Sequence, residues 1–313
     1  MVGPVVIMSI ADVKLIEAGI GREGRMQVKQ FPLETGVPGC GMEFSWNMYD
    51  VGYGTPRHKH TFDQFRFALE GPREIEDGFL EPGDVGFYPE GVLYGPQKQT
   101  KPSTGLGLQF EGASGIPYMT HDDLRDAKKK LEADGGTFAN GFYTRIFPDG
   151  RKVNKDGHAA CYEYLTGEKI RFPEPKFAGP VVVRSKPARW VADRRIAGLE
   201  HKYLGAFGDR RSGARLMRLA PGASIPAHAQ EDAEILYLTS GSIEYDGKTW
   251  LGGQTADQGT YMWIPHGAAV KDIASPEGGM FFVISLPMLA EIDAEIKRGL
   301  RSPSNQKNAA AIA

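Results

Sequence analysis

Two histidines separated by one residue, His58 and His60, are followed by Gln64 and Arg66 in the run HKHTFDQFRFALEG. In an extended chain, side chains two apart point to the same side, so all four share one face of a strand that is regular there. That phase puts polar groups where a core strand should be apolar, and burying them is costly unless they bond to one another, to a metal or to a ligand. Two imidazoles at i and i+2 suit Fe, Mn, Ni, Cu or Zn. A guanidinium in the same row suits a carboxylate, which its planar fork meets with paired hydrogen bonds. The competing reading of the histidines is a hydrogen-bonded polar cluster left from an ancestral metal site, and that of Arg66 is a salt bridge to a nearby acid.

The elements that must position these residues are strands. Forty glycines and 21 prolines punctuate short apolar segments at frequent intervals, as closely spaced turns between strands require. Strands are expected at 42–48, 64–69, 105–110, 181–184, 215–219, 235–238, 261–264 and 280–286. One helix is expected after Thr120, which can cap it, with Asp122 and Asp123 in the first turn and Gly135 at the stop. A second is expected after Pro287, where Leu289, Ile292 and Ile296 recur at helical spacing. The tail SPSNQKNAAAIA has little to bury and is expected to fray.

The chain also repeats itself at an offset of 170 residues. Gly52–Gly71 reads GYGTPRHKHTFDQFRFALEG and Gly222–Gly241 reads GASIPAHAQEDAEILYLTSG; in each, a histidine lies six residues after the first glycine and the closing glycine thirteen after that. Each half then carries G-x5-P-x-G, around 83–96 and 259–272. These paired segments resemble the two motifs of the cupins, G-x5-H-x-H-x3-E-x6-G and G-x5-P-x-G-x2-H-x3-N, and a double match is far more specific than one His-x-His. The resemblance implies an all-β bicupin, two tandem double-stranded β-helix (jelly-roll) barrels with a few peripheral helices and interior pockets. The expected organisation is an N-terminal barrel at 1–115, an insertion at 116–185, a C-terminal barrel at 186–288, and a helix and tail at 289–313.

By that resemblance His58 and His60 are metal ligands. The pattern places glutamate at position 64 and histidine at position 94, where this chain has Gln64 and Tyr94. Gln64 offers a neutral carbonyl oxygen; Tyr94 offers a phenolate to a ferric ion, an acid or hydrogen-bond donor to substrate, or a group behind the ligands. The first segment is also similar to that of gentisate-type dioxygenases, which carry an arginine six residues after the second histidine, as Arg66 stands here. That likeness implies an Arg66 clamp on an anionic substrate and one divalent transition metal, Fe(II) foremost, with Mn, Ni, Cu or Zn as alternatives. The second barrel keeps His228 and Glu234 but has Gln230 and Val270 at the other positions; valine cannot bind metal, and this site reads as degenerate.

His121, His158 and His201 stand alone in sequence and read as surface or capping residues. His266 reads as a loop residue, Cys40 and Cys161 as buried thiols, and Glu111 as an exposed strand-end acid with a minor alternative as a substitute carboxylate. The insertion is too long for a plain linker, and covering a barrel mouth or a subunit contact are the roles expected of it.

With 37 basic and 39 acidic residues there is no electrostatic reason to expect nucleic acid or an anionic membrane. Two distant cysteines, no basic residues ahead of the N-terminal apolar run, and no stretch of roughly 20 apolar residues point to a reduced cytoplasmic protein, with Met8 an alternative start. Open sheet edges make a homodimer the default. The expected function is a mononuclear metal-dependent, dioxygenase-like oxidoreductase on a small aromatic or oxygenated carboxylic acid, with Arg66 and Tyr94 as catalytic residues. The alternatives are a non-catalytic small-molecule-binding bicupin and a non-oxidative isomerase or lyase.

Overall fold

All eight expected strands form: Met42–Tyr49, Phe62–Glu70, Ser103–Glu111, Val181–Val183, Ser212–Leu219, Ala233–Tyr245, Thr260–Ile264 and Gly279–Leu286. In the computed structural model, which describes residues 3–18, 23–37 and 40–299, they belong to two large antiparallel sheets. The first runs Val181–Val183, Val85–Tyr88, Phe62–Glu70, Ser103–Glu111, Met42–Tyr49, Met26–Phe31, Leu15–Ala18. The second runs Val6–Ser9, Thr260–Ile264, Ala233–Tyr245, Gly279–Leu286, Ser212–Leu219, Leu199–Phe207, Val191–Ala192.

The halves exchange strands. Val6–Ser9, expected with the first barrel, pairs with Thr260–Ile264 of the second, and Val181–Val183 pairs with Val85–Tyr88 of the first. Each exchanged strand covers an edge that would otherwise present unpaired backbone groups. Divisions contiguous in sequence, at 115 and 186, therefore do not coincide with the sheets.

Strand alternation gives the two barrels different interiors. One face of the first sheet is apolar: Phe44, Trp46, Phe65, Phe67, Leu106 and Leu108 join Leu216, Ile235, Tyr237, Tyr261 and Phe282 in one cluster between the barrels. Within it Phe67 and Phe282 stack with ring centroids 4.0 Å apart. The opposite phase of the same strands carries Ser45, Asn47, Gln64, Arg66 and Gln109. In the second barrel the matching phase is Met217, Leu219, Leu236, Leu238, Met262, Ile264, Phe281 and Val283, a filled apolar core. At ~1.5–3 kcal/mol per fully buried large apolar side chain, that interior stabilises the second barrel. The first barrel forgoes the same gain for a polar lining.

The insertion forms a small layer over the first barrel. Helix α1 (His121–Ala133) begins with a capping box between Thr120 and Asp123. Helix α2 (Gly157–Thr166), which the pattern HAACYEYLT did not signal, is capped by Asp156 and ends at Gly167 with φ 72°. A three-stranded sheet, Gly136–Ala139, Phe142–Ile146 and Lys152–Asp156, joins them. Leu124, Ala127, Leu131, Tyr143, Ala160 and Cys161 form their shared core. Helix α3 (Pro287–Lys297) starts at its proline as expected, and the tail 302–313 lies outside the described residues. Among those residues no helix is long and apolar enough to cross a membrane.

Candidate active site in the first barrel

His58 and Tyr94 sit opposite each other in an isolated antiparallel bridge, each backbone N–H donating to the other's carbonyl at 3.0 Å. His228 and Val270 pair in the same way in the second barrel. The position of the late motif residue is thus set by direct pairing with the first histidine, which is why a G-x5-P-x-G segment distant in sequence reaches the site.

Arg66 lies in the middle of Phe62–Glu70, flanked across the register by Gly86 and Gly107. Neither glycine has room for a side chain: a Cβ would lie 2.9 Å from Tyr88 Cε2 or 2.8 Å from Asn47 Nδ2, respectively. With that space open, the Tyr88 ring lies against the guanidinium, its centroid 3.9 Å from Cζ. Arg66 is 6% exposed. Its Nε donates to Gln64 Oε1 at 2.7 Å, Nη1 to Gln97 Oε1 at 2.9 Å and Nη2 to Tyr94 Oη at 3.1 Å. All three acceptors are neutral, so the salt bridge that would explain Arg66 structurally is replaced by a cradle that holds the charge without cancelling it. A buried charge in that condition is costly.

Tyr94, 1% exposed, connects the arginine to the histidines, because its Oη also lies 3.2 Å from His60 Nδ1. His58 Nδ1 lies 2.7 Å from the Pro56 carbonyl. A carbonyl only accepts, so Nδ1 carries the proton and the ring is held in that orientation. The His58 and His60 ring centroids are 4.8 Å apart.

His58, His60, Gln64 and Arg66 line a cavity of about 120 Å³ that His121, Leu124 and His158 of the insertion also border. A dry engineered cavity of ~150 Å³ takes benzene, so the space suits a single ring or a shorter acid. The expectation that His121 and His158 are surface or capping residues is corrected here: α1 and α2 carry them to the barrel mouth, and the His158 ring lies 5.9 Å from that of His60. His121 bonds Glu43 through both its ring and its backbone N–H. Burial raises the Glu43 carboxyl, but the hydrogen bonds and charge of His121 outweigh it and hold that group below its ordinary value. Arg73 and Gln109 also reach the cavity. None of these four is signalled by the motifs; only the length of the insertion hinted at a cover.

Whether the donors fit a metal depends on what already engages them. Two imidazoles suit a first-row ion, and the His58 hydrogen bond to Pro56 is of the kind that orients a ligand. Gln64 and Tyr94 both accept from Arg66. Among the described residues no Asp or Glu lines the cavity, and no group of three His, Cys, Asp or Glu is arranged to hold a metal. Among the described residues the cavity wall thus offers the imidazoles of His58, His60, His121 and His158 and no carboxylate.

In the second barrel His228 and Gln230 meet each other, but Glu234 is engaged elsewhere. His228 is exposed with Nε2 3.1 Å from Gln230 Oε1, while Glu234 is held by Arg215 at 2.8 Å and by Ser285 at 2.7 Å. Val270 is buried at 2% exposure. Glu111 is buried, not exposed, and lies 3.9 Å from Arg210, away from the cavity. His201 is buried beside Asp193 at 3.4 Å, and His266 is exposed on a loop, as expected. Cys40 and Cys161 are both buried.

The model of a ChrR cupin-like domain family matches residues 178–289. No curated protein matches the chain. Among solved structures, a Nostoc punctiforme protein described as a candidate dioxygenase is 15% identical with a TM-score of 0.60, covering 90% of this chain and 82% of that one. A variant of Bacillus subtilis oxalate decarboxylase is 13% identical with a TM-score of 0.52, covering 90% and 76%. At such identities the likeness is one of fold, and that fold is all-β, built of cupin barrels.

Proposed function

We propose that this cupin-fold chain is a mononuclear metal-dependent enzyme, a dioxygenase-like oxidoreductase acting in its first barrel on a small aromatic or oxygenated carboxylic acid. The observation that carries the proposal is the buried Arg66 guanidinium, cradled by three neutral acceptors and linked through Tyr94 to His60. An anion supplied from outside is what completes such a group.

His58 and His60 would hold the ion, Fe(II) foremost; when bound it supplies Lewis acidity and redox chemistry toward dioxygen. Arg66 binds the carboxylate and fixes its direction relative to the two imidazoles. Gln64 and Gln97 hold the guanidinium in that orientation. Tyr94 Oη, between Arg66 and His60, holds a proton at the junction of the anion and metal sites. Phe62 and Leu124 give the mouth apolar surface beside His121 and His158. With four histidines and, among the described residues, no carboxylate at the cavity wall, the acid itself would neutralise much of the ion's charge.

A second reading, a carboxylate-binding protein without metal, or a non-oxidative isomerase or lyase using Tyr94 as acid or base, is favoured by one observation. Arg66 already engages both Gln64 and Tyr94. Metal analysis separates the readings. After anaerobic Fe(II) reconstitution and desalting, the proposal expects about one ion per wild-type chain and none in a His58→Ala/His60→Ala variant. Sub-stoichiometric metal in wild type with carboxylate binding intact would move the assignment to the second reading.

A further inference from the structure

The cavity has a second cationic group that the motifs do not include. Arg73 opens the strand Arg73–Ile75 just after the glycine that closes the first motif. It lines the same cavity as Arg66 and is 6% exposed. Its Cζ lies 4.0 Å from the centroid of the Tyr49 ring, and its Nε has no hydrogen-bond partner among the described residues. A ring face satisfies part of a guanidinium's charge but none of its in-plane donors. Burying an arginine with a donor unmet is costly, and among the described residues no Asp or Glu lines the cavity to pair with its charge.

We infer that the first-barrel site takes a small dicarboxylate, one carboxylate on Arg66 and the other on Arg73. The inference rests on the proposed carboxylate site at Arg66 and extends it to the substrate's second end. In a cavity of about 120 Å³ the two charges must belong to one short molecule. The two guanidiniums have different duties: Arg66 is fixed by Gln64, Gln97 and Tyr94 and sets the reacting end, while Arg73 selects for a second negative group.

The test is calorimetric titration of the full chain with malonate, succinate and glutarate, each against the monocarboxylate of equal carbon count: propionate, butyrate and valerate. At least one dicarboxylate should bind ten-fold or more tighter than its partner. Arg73→Gln should erase that difference by weakening the dicarboxylate ten-fold or more, and Arg73→Lys should retain part of it. Wild type binding each pair equally, or Arg73→Gln weakening both members equally, would overturn the inference. The underlying reading fails separately, through absence of monocarboxylate binding in wild type or its persistence in Arg66→Met. The wild-type comparison stands even if an Arg73 variant does not fold.

Discussion

Replacing Arg66 by methionine removes the positive charge while keeping an unbranched stem among Tyr88, Tyr94 and Gln64. A hydrogen bond to a charged partner contributes ~1.5–3 kcal/mol, so losing even one to a bound carboxylate weakens binding about 10- to 150-fold. A ligand at 100 times its Kd stabilises the fold by about 2.7 kcal/mol, and a hundred-fold weaker Kd cuts this to ~0.4 kcal/mol. For a chain of this size, about 2 °C of melting temperature accompanies each kcal/mol. The wild-type shift with a saturating monocarboxylate is therefore about 5 °C, and the variant's about 1 °C. The ligand-free variant should melt within a few degrees of wild type. It loses three bonds to neutral acceptors but also sheds a buried charge that has no acid partner among the described residues. Differential scanning fluorimetry across acetate, butyrate and benzoate reads both quantities. A full shift retained in Arg66→Met would refute the assignment of Arg66 as the anion anchor.

Asp63 Oδ1 accepts from the Glu90 backbone N–H at 2.8 Å, and burial pushes its carboxyl from 3.8 up to about 6. A raised acid stabilises the fold at low pH and loses that contribution as pH rises through about 6. Wild type should therefore lose up to ~3 kcal/mol relative to Asp63→Asn between pH 4 and pH 7; parallel urea-unfolding profiles over that range would exclude this. Burial likewise pushes the Cys161 thiol up to about 12. Native protein at pH 8 should thus leave Cys161 unalkylated by iodoacetamide, with modification by peptide mapping only after denaturation. His228→Ala should leave both metal content and carboxylate affinity unchanged, because Glu234 is committed to Arg215 and Ser285; a loss of metal would assign a working site to the second barrel.

The strand pattern and the chemistry inside the first barrel were legible because strand alternation is local. The phase His58, His60, Gln64, Arg66 follows from a two-residue period, and the structure brings all four to one cavity. The glycine and proline skeleton likewise located Tyr94 and Val270, since these two pair with His58 and His228 through backbone hydrogen bonds that depend little on side-chain identity. Helix α1 was legible from its cap and α3 from its proline. Helix α2 was not, because its ten residues bury mainly small side chains and carry little helical periodicity.

What only the tertiary structure decided depends on contacts between distant segments. Nothing near His121 or His158 in sequence marks them as site residues; they become so because the core of the insertion fixes α1 against α2 above the barrel mouth. Among the described residues Arg66 has no acid partner, and Gln64 and Tyr94, which by sequence stood as ligands, meet its guanidinium instead. The exchange of Val6–Ser9 and Val181–Val183 between sheets is equally invisible locally, because an edge strand's partner is set by which edge remains open once both barrels have formed. Sequence determined which side chains share a face, since that is a property of one strand. Which of them remain available for a metal or an acid was decided by the groups that other strands and helices bring against them.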